Sequence, residues 1–352
     1  MSDGSKPTSH RPSDPDGFEP PPGWGPQEPW SGKAGGSRRR VALIALAVLA
    51  VVAVVVGSIA VISSGDSGDA AAGTTDTSAA VPSVTASSAA AGPDAASAGD
   101  TGAVAIVTED PTCEAWTPIG TALTDAQNGT FATRSDAMRT AAEQILPLAE
   151  QTPSRAMRDL YEQNVAYLRL YADGNPQAPN EIAARVTTSL SGALSSVCQA
   201  LGTGSASARA GLAPAAQPPT VAAPEPTDQP VAFMGQADPM CTQWRSLVSN
   251  YTNDFAAWRA TDQNVAADRW SPQQRAINDA VAPRMVAFAN ESEAVARGTS
   301  NAVLQDLATL AAQYRRAYAA ALPTYVPADA NLIRTASGIV VAIDDACAAV
   351  GG

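Results

Sequence analysis

Histidine and lysine are nearly missing from this chain. The one histidine is His10 and the two lysines are Lys6 and Lys33, so everything after Arg40 works without imidazole or ammonium groups. Nucleophilic catalysis of the Ser-His, Cys-His or Ser-Lys kind is therefore excluded there, and no enzymatic activity is expected. Aromatic residues supply only 5% and charged residues 16% of 352 positions, against 27 Pro and 26 Gly, a balance that leaves much of the chain as connector. The net charge of -12 disfavours nucleic acid, whose phosphates need clustered Lys and Arg. The four cysteines contain no CxxC pair, and neither a metal nor another cofactor is expected.

One long apolar run is present. Residues 41–62, VALIALAVLAVVAVVVGSIAVI, form a stretch of 22 without a charge. As a helix rising about 1.5 Å per residue it would span a ~30 Å hydrocarbon core. Arg38, Arg39 and Arg40 precede it and Asp66 and Asp69 follow. The positive-inside bias then leaves the N-terminus in the cytoplasm. The charge distribution agrees: residues 1–40 hold six basic and five acidic groups, the rest 16 Arg against 29 Asp plus Glu. The leader is too long and the apolar run too extended for a cleaved signal peptide. The expectation is a single-pass plasma-membrane protein with its C-terminal part extracytoplasmic.

Residues 1–40 read as a disordered Pro-rich head. Within it, Pro22, Trp24, Pro26, Pro29 and Trp30 offer a possible docking motif, since Pro26-Gln27-Glu28-Pro29 is a formal PxxP. The order of a PPPGWGPQ head, an Arg cluster, an Ala/Val-rich run and an Ala/Ser/Thr-rich stalk resembles uncharacterised actinobacterial single-pass envelope proteins. That resemblance covers about the first 100 residues and implies cell-envelope location. Residues 63–109 and 202–237 read as flexible stalk and linker.

The remainder is a duplication. Asp110-Pro111-Thr112-Cys113-Glu114-Ala115-Trp116 recurs as Asp238-Pro239-Met240-Cys241-Thr242-Gln243-Trp244. Asp159-Leu160, Tyr167, Arg169 and Tyr171 match Asp306-Leu307, Tyr314, Arg316 and Tyr318 at a constant offset of 147. Each copy ends in a cysteine, Cys198 or Cys347. Helix signals place four helices in module A, residues 110–201, and four in module B, residues 238–350. Asp110, Thr152, Asp238 and Ser271, each before a proline, are the expected N-caps. Kinks are expected at Pro118, Pro147 and Pro283. In an up-down-up-down bundle the start of the first helix and the end of the fourth share one end, so Cys113 should pair with Cys198 and Cys241 with Cys347. The expected fold class is thus all-α: one transmembrane helix plus two disulfide-clasped four-helix modules, with disordered head and linkers.

Candidate sites are few. Tyr167, Tyr171 and Arg169, with Tyr314, Tyr318 and Arg316, could line a ligand cleft, although tyrosines spaced i, i+4 also serve as core. Trp116 and Trp244 should cover the disulfides. Glu291 with Glu293, and Asp344 with Asp345, are the carboxylate pairs that glycoside hydrolysis or calcium would require. The functional expectation is a membrane-anchored, non-catalytic binding or scaffolding protein of the envelope. Its partner would be an envelope protein, a wall polymer or a lipid, and its oligomeric state is left open. The alternatives are a carboxylate enzyme on wall glycan and a sensor relaying to the Pro-rich head.

Overall fold

The computed structural model describes residues 104–176, 180–214, 216 and 220–351. Among the described residues the protein is all-helical, with ten α-helices and no β-strand. The first half contains α1 (Cys113–Ala126), α2 (Phe131–Gln151), α3 (Arg155–Ala172), α4 (Glu181–Gly202) and the short α5 (Ser205–Ala210). The second contains α6 (Met240–Asp254), the single turn α7 (Ala256–Arg259), α8 (Pro272–Ala296), α9 (Ala302–Ala321) and α10 (Ala330–Ala349).

Short polar side chains start most of these helices. Thr130, Ser154, Asn180, Ser271 and Asn301 each accept a hydrogen bond from the amide three residues on, satisfying a donor that the first turn leaves free. Ser271 was foreseen; Thr152 was not the cap, because Ser154 takes that place. Asp110 and Asp238 lie two and one positions before the N-caps Thr112 and Pro239, and accept from the amides of Thr112 and Met240. Their second oxygens accept from Thr152 and Thr299, so each aspartate ties the start of its bundle to the turn before the third helix. Helices α1, α2 and α8 continue through Pro118, Pro147 and Pro283. The break falls instead at Phe255, where α6 gives way to α7.

Packing closes two rings of four. Helices α1 to α4 neighbour one another in order and α1 returns to α4; α6, α8, α9 and α10 do the same. Disulfides Cys113–Cys198 and Cys241–Cys347 fasten the first helix of each ring to its last, with Cα atoms 5.2 and 5.3 Å apart. In the chain-entropy view each such closure stabilises its ring by about 4.5 kcal/mol, and the Ala-rich helices bury modest side chains.

The rings are joined through extensive contact of α4 with α10 and a smaller contact of α3 with α9, and a single core runs through both. Helices α4 and α10 run antiparallel. Arg185 meets Asp345 at 2.9 Å near one end, and Arg209 of α5 makes a two-pronged pair with Asp329 at the other. Gly338 is required between them, since a Cβ there would stand 3.0 Å from the Ser189 carbonyl oxygen. Helices α3 and α9 are enclosed on nearly every side, not along one stripe, because each is covered by its own ring and by the opposite half.

The fold class needs one correction. No helix among the described residues is long and apolar enough to cross a membrane. Even the longest, α8, carries Arg275, Asp279, Arg284, Glu291 and Glu293, charges that a lipid-exposed span would not hold. The membrane expectation rested on residues 41–62, which lie outside the described residues together with the head and residues 63–103. The transmembrane helix, the single-pass description and the plasma-membrane location with a cytoplasmic N-terminus are accordingly withdrawn. Within the expected linkers, residues 104–109 are laid into the core through Val104, Ile106 and Val107, and residues 205–210 form α5.

Candidate functional site

At the junction of the halves, Asp159 of α3 lies against Asp306 of α9, its own repeat counterpart, as equivalent residues do about a two-fold axis. Both are buried, at 1% and 0% exposure. Burial raises the Asp159 carboxyl well above the usual carboxylate range, and the hydrogen bond to Asp306 and that residue's charge push the same way. Asp159 is thereby biased toward its protonated form. Arg155 pairs with Asp306 at 2.5 Å, so the two buried acids share one guanidinium.

Arg155 also begins a row of polar contacts along α3. It donates to the carbonyl oxygen of Val221 at 3.2 Å. Glu162 accepts from the Thr227 amide at 3.4 Å, Gln163 from the Phe233 amide at 2.8 Å, and Arg169 donates to the Asp228 carbonyl at 3.3 Å. From the start of α9, Gln305 accepts from the Thr220 amide at 2.9 Å and Asn301 donates to the Phe233 carbonyl at 2.6 Å. The chain between residues 220 and 234 is thereby strapped across α3 and the first turn of α9. Burial raises the Glu162 carboxyl, although the Thr227 bond opposes the shift. Neither the strap nor the acid pair was read as a site from sequence. The offset of 147 did place Asp159 and Asp306 in register, and their position beside the stripe leucines Leu160 and Leu307 was the available signal.

The structure does not assemble the expected tyrosine cleft. Tyr167, Tyr171, Tyr314 and Tyr318 are all core, at 2% exposure or less. Tyr167 packs edge-on against Phe233, Tyr171 against Phe131, and Tyr318 against Trp258 and Tyr325. Arg316 is held by Glu293 in two 2.7 Å bonds and by Asn290, while Arg169 reaches the strap. Glu291 is turned outward to accept from the Tyr251 hydroxyl, so it does not face Glu293. Asp345 is paired with Arg185, and burial pushes the neighbouring Asp344 up to about 6. Among the described residues no group of three His, Cys, Asp or Glu side chains could hold a metal ion. Trp116 sits one turn beyond Cys113 and donates to Ser195 of α4; Trp244 is wholly buried in the matching place. Pro22, Trp24, Pro26, Pro29 and Trp30 lie outside the described residues.

One side chain stands apart. Arg315 is 1% exposed, and its guanidinium lies 4.4 Å from the Phe288 ring centre and 5.6 Å from that of Phe255. Its Nη2 has no hydrogen-bond acceptor, and burial lowers its pKa to about 9. Its counterpart at the offset of 147 is Leu168.

Comparison with known proteins adds a context. A family model described as "Mycobacterial ESX-1 associated protein" matches residues 95–351, spanning both rings and their junction. An uncharacterised protein of Mycolicibacterium smegmatis strain MKD8 is 38% identical over 280 residues, covering 73% of this chain and 74% of the relative. No solved structure matches.

Proposed function

The chain belongs to the mycobacterial ESX-1 associated protein family, and from that premise we propose that it is a non-catalytic binding or scaffolding protein working alongside a secretion system of the cell envelope. The observation that carries this reading is how the charges at the junction of the halves are used. Arg155 with Asp306, Arg209 with Asp329 and Arg185 with Asp345 all join one half to the other or fix the connections between them. Such pairs specify a body of fixed shape. Two disulfides fit folding in an oxidising compartment, as an envelope role requires. The partner class favoured is another envelope protein, contacted through the outer helices α1, α2, α6 and α8. The test is crosslinking with mass spectrometry in intact cells, in strains with and without the secretion system. Crosslinks from those helices to a component of that system, lost when it is deleted, are expected. Hydrolysis of wall glycan by the purified chain, abolished by Glu291→Gln or Asp344→Asn, would overturn the reading.

A further inference from the structure

Of the residues between α5 and α6, the described ones at 211–214, 216 and 220–239 form no helix, and the connection is well beyond the ~12–15 residues above which such connections are uncommon unless functional. What holds their central part is unusual. Between Thr220 and Gln229 buried or half-buried side chains of the helices bond mainly to strap backbone: Gln305 to the Thr220 amide, Arg155 to Val221, Glu162 to Thr227 and Arg169 to Asp228, with Gln305 also bonded to the Thr220 hydroxyl. The strap's own side chains from Glu225 to Gln229 are exposed. Val221, Ala223 and Pro224 before them are half-buried, and full burial comes with Pro230, Phe233 and Met234 after them. Recognition of this kind reads chiefly an extended main chain, as peptide-binding grooves do. Pro224, Pro226 and Pro230 fit it, since proline favours extended backbone and brings no amide that needs a partner.

The duplication supplies an internal control. At the offset of 147, Arg155, Glu162 and Gln163 correspond to Ala302, Thr309 and Leu310. Helix α9 fills the same place in its ring without those polar groups, so the fold does not demand them of α3. Burying a carboxylate and a carboxamide carries a desolvation cost unless they are bonded, and here their bonds go to the strap.

We propose that α3 and the first turn of α9 form a groove that takes an extended, proline-containing segment of a partner protein, with residues 220–229 as the resident occupant that the partner displaces. This rests on the binding role proposed above and gives it a place. A failure of the groove would still leave association with the secretion system measurable by crosslinking.

The experiment uses the full chain with residues 220–229 replaced by a Gly/Ser segment of equal length, and a fluorescent synthetic peptide of residues 220–229 as probe. Saturable binding is expected, roughly tenfold or more weaker to the unaltered chain, whose own strap competes. Glu162→Thr and Gln305→Ala in the replaced chain should each weaken it. A replaced chain that keeps both disulfides and its helical circular dichroism yet leaves the peptide unbound overturns the proposal. So does a concentration-dependent dimer of the unaltered chain formed by strap exchange, which would make a second copy the occupant. Should the replaced chain fail to fold, hydrogen exchange on the unaltered protein decides. The Thr220 and Thr227 amides should exchange roughly a hundredfold or more faster than those of α4 and α10; exchange only on global unfolding rules the groove out.

Discussion

In the first half Cys113 and Cys198 are only partly buried, whereas in the second Cys241 and Cys347 are fully enclosed, with Met234 against Cys241. Position 168 is leucine in one half and its counterpart is Arg315 in the other. The second half sets that arginine against Phe288 and Phe255, which are linked to Tyr251, Trp258 and Tyr318 in an aromatic set for which the described residues of the first half have no comparable run. What both halves keep is different in kind: the clasp, the aspartate-threonine tie and the acid that meets its twin. The difference teaches that closure and junction geometry constrain a duplicated helical ring, while the filling of each ring is free to diverge so long as volume is conserved.

The clasps offer the largest effect with which to break that comparison. Replacing Cys113 and Cys198 with Ala, or Cys241 and Cys347, should in either case cost about 4.5 kcal/mol in denaturant unfolding. The kinetics should separate them. Dithiothreitol under native conditions, followed by alkylation and peptide mapping, should label the first pair early and the second only once the protein opens. Simultaneous labelling would show that exposure does not distinguish the halves.

Counterpart residues at the junction should also behave unequally, because Arg155 has no twin: its counterpart is Ala302. Asp306→Ala strands a buried guanidinium and should cost about 3–5 kcal/mol. Asp159→Asn retains a donor toward Asp306 and should cost under about 1 kcal/mol near neutral pH. Equal losses would mean that the proton sits elsewhere than on Asp159. A smaller effect of opposite sign is expected at the divergent core position. Arg315→Leu installs the residue used by the first half and removes a buried charge without a counter-ion. Chemical denaturation should show a gain of about 1–2 kcal/mol after the lost contacts with Phe288 and Phe255 are counted.

These contrasts also explain what could be read in advance. Helix positions, the cysteine pairing and the repeat register follow from local signals: a cap at Ser271, steps of three and four, and a constant offset. The joining of the halves did not, because its determinants, Gly338, Asp159 and Arg155, look like ordinary helix residues until the partner helix is known. The strap was hidden for a related reason. A Pro- and Ala-rich stretch has the composition of a linker, and its binding groups belong to α3 and α9. The tyrosine pairs left a cleft and a core both open, since spacing shows which residues share a face but not whether that face is covered. The membrane expectation came from residues 41–62 alone, and nothing in the described helices supports it.

The last contrast concerns acidity, with Asp159 and Glu162 in the first half and Asp344 and Asp345 in the second, all raised above their ordinary values chiefly by burial. A folded-state pKa above the unfolded one means that the folded protein holds protons the unfolded chain releases. Stability from these groups is therefore complete below about pH 4, and is lost as pH rises through the folded values. For Asp344 that loss centres on about 6, with Arg245 opposing the shift and Asp345 reinforcing it. Thermal unfolding should accordingly show the chain more stable at mildly acidic than at neutral pH, by about 1–2 kcal/mol from Asp344. Asp344→Asn should remove the component near 6 and leave the part that Asp159 sets. A midpoint that rises from mildly acidic to neutral pH would contradict the burial argument in both halves, whereas a response untouched by Asp344→Asn would assign the effect to the junction.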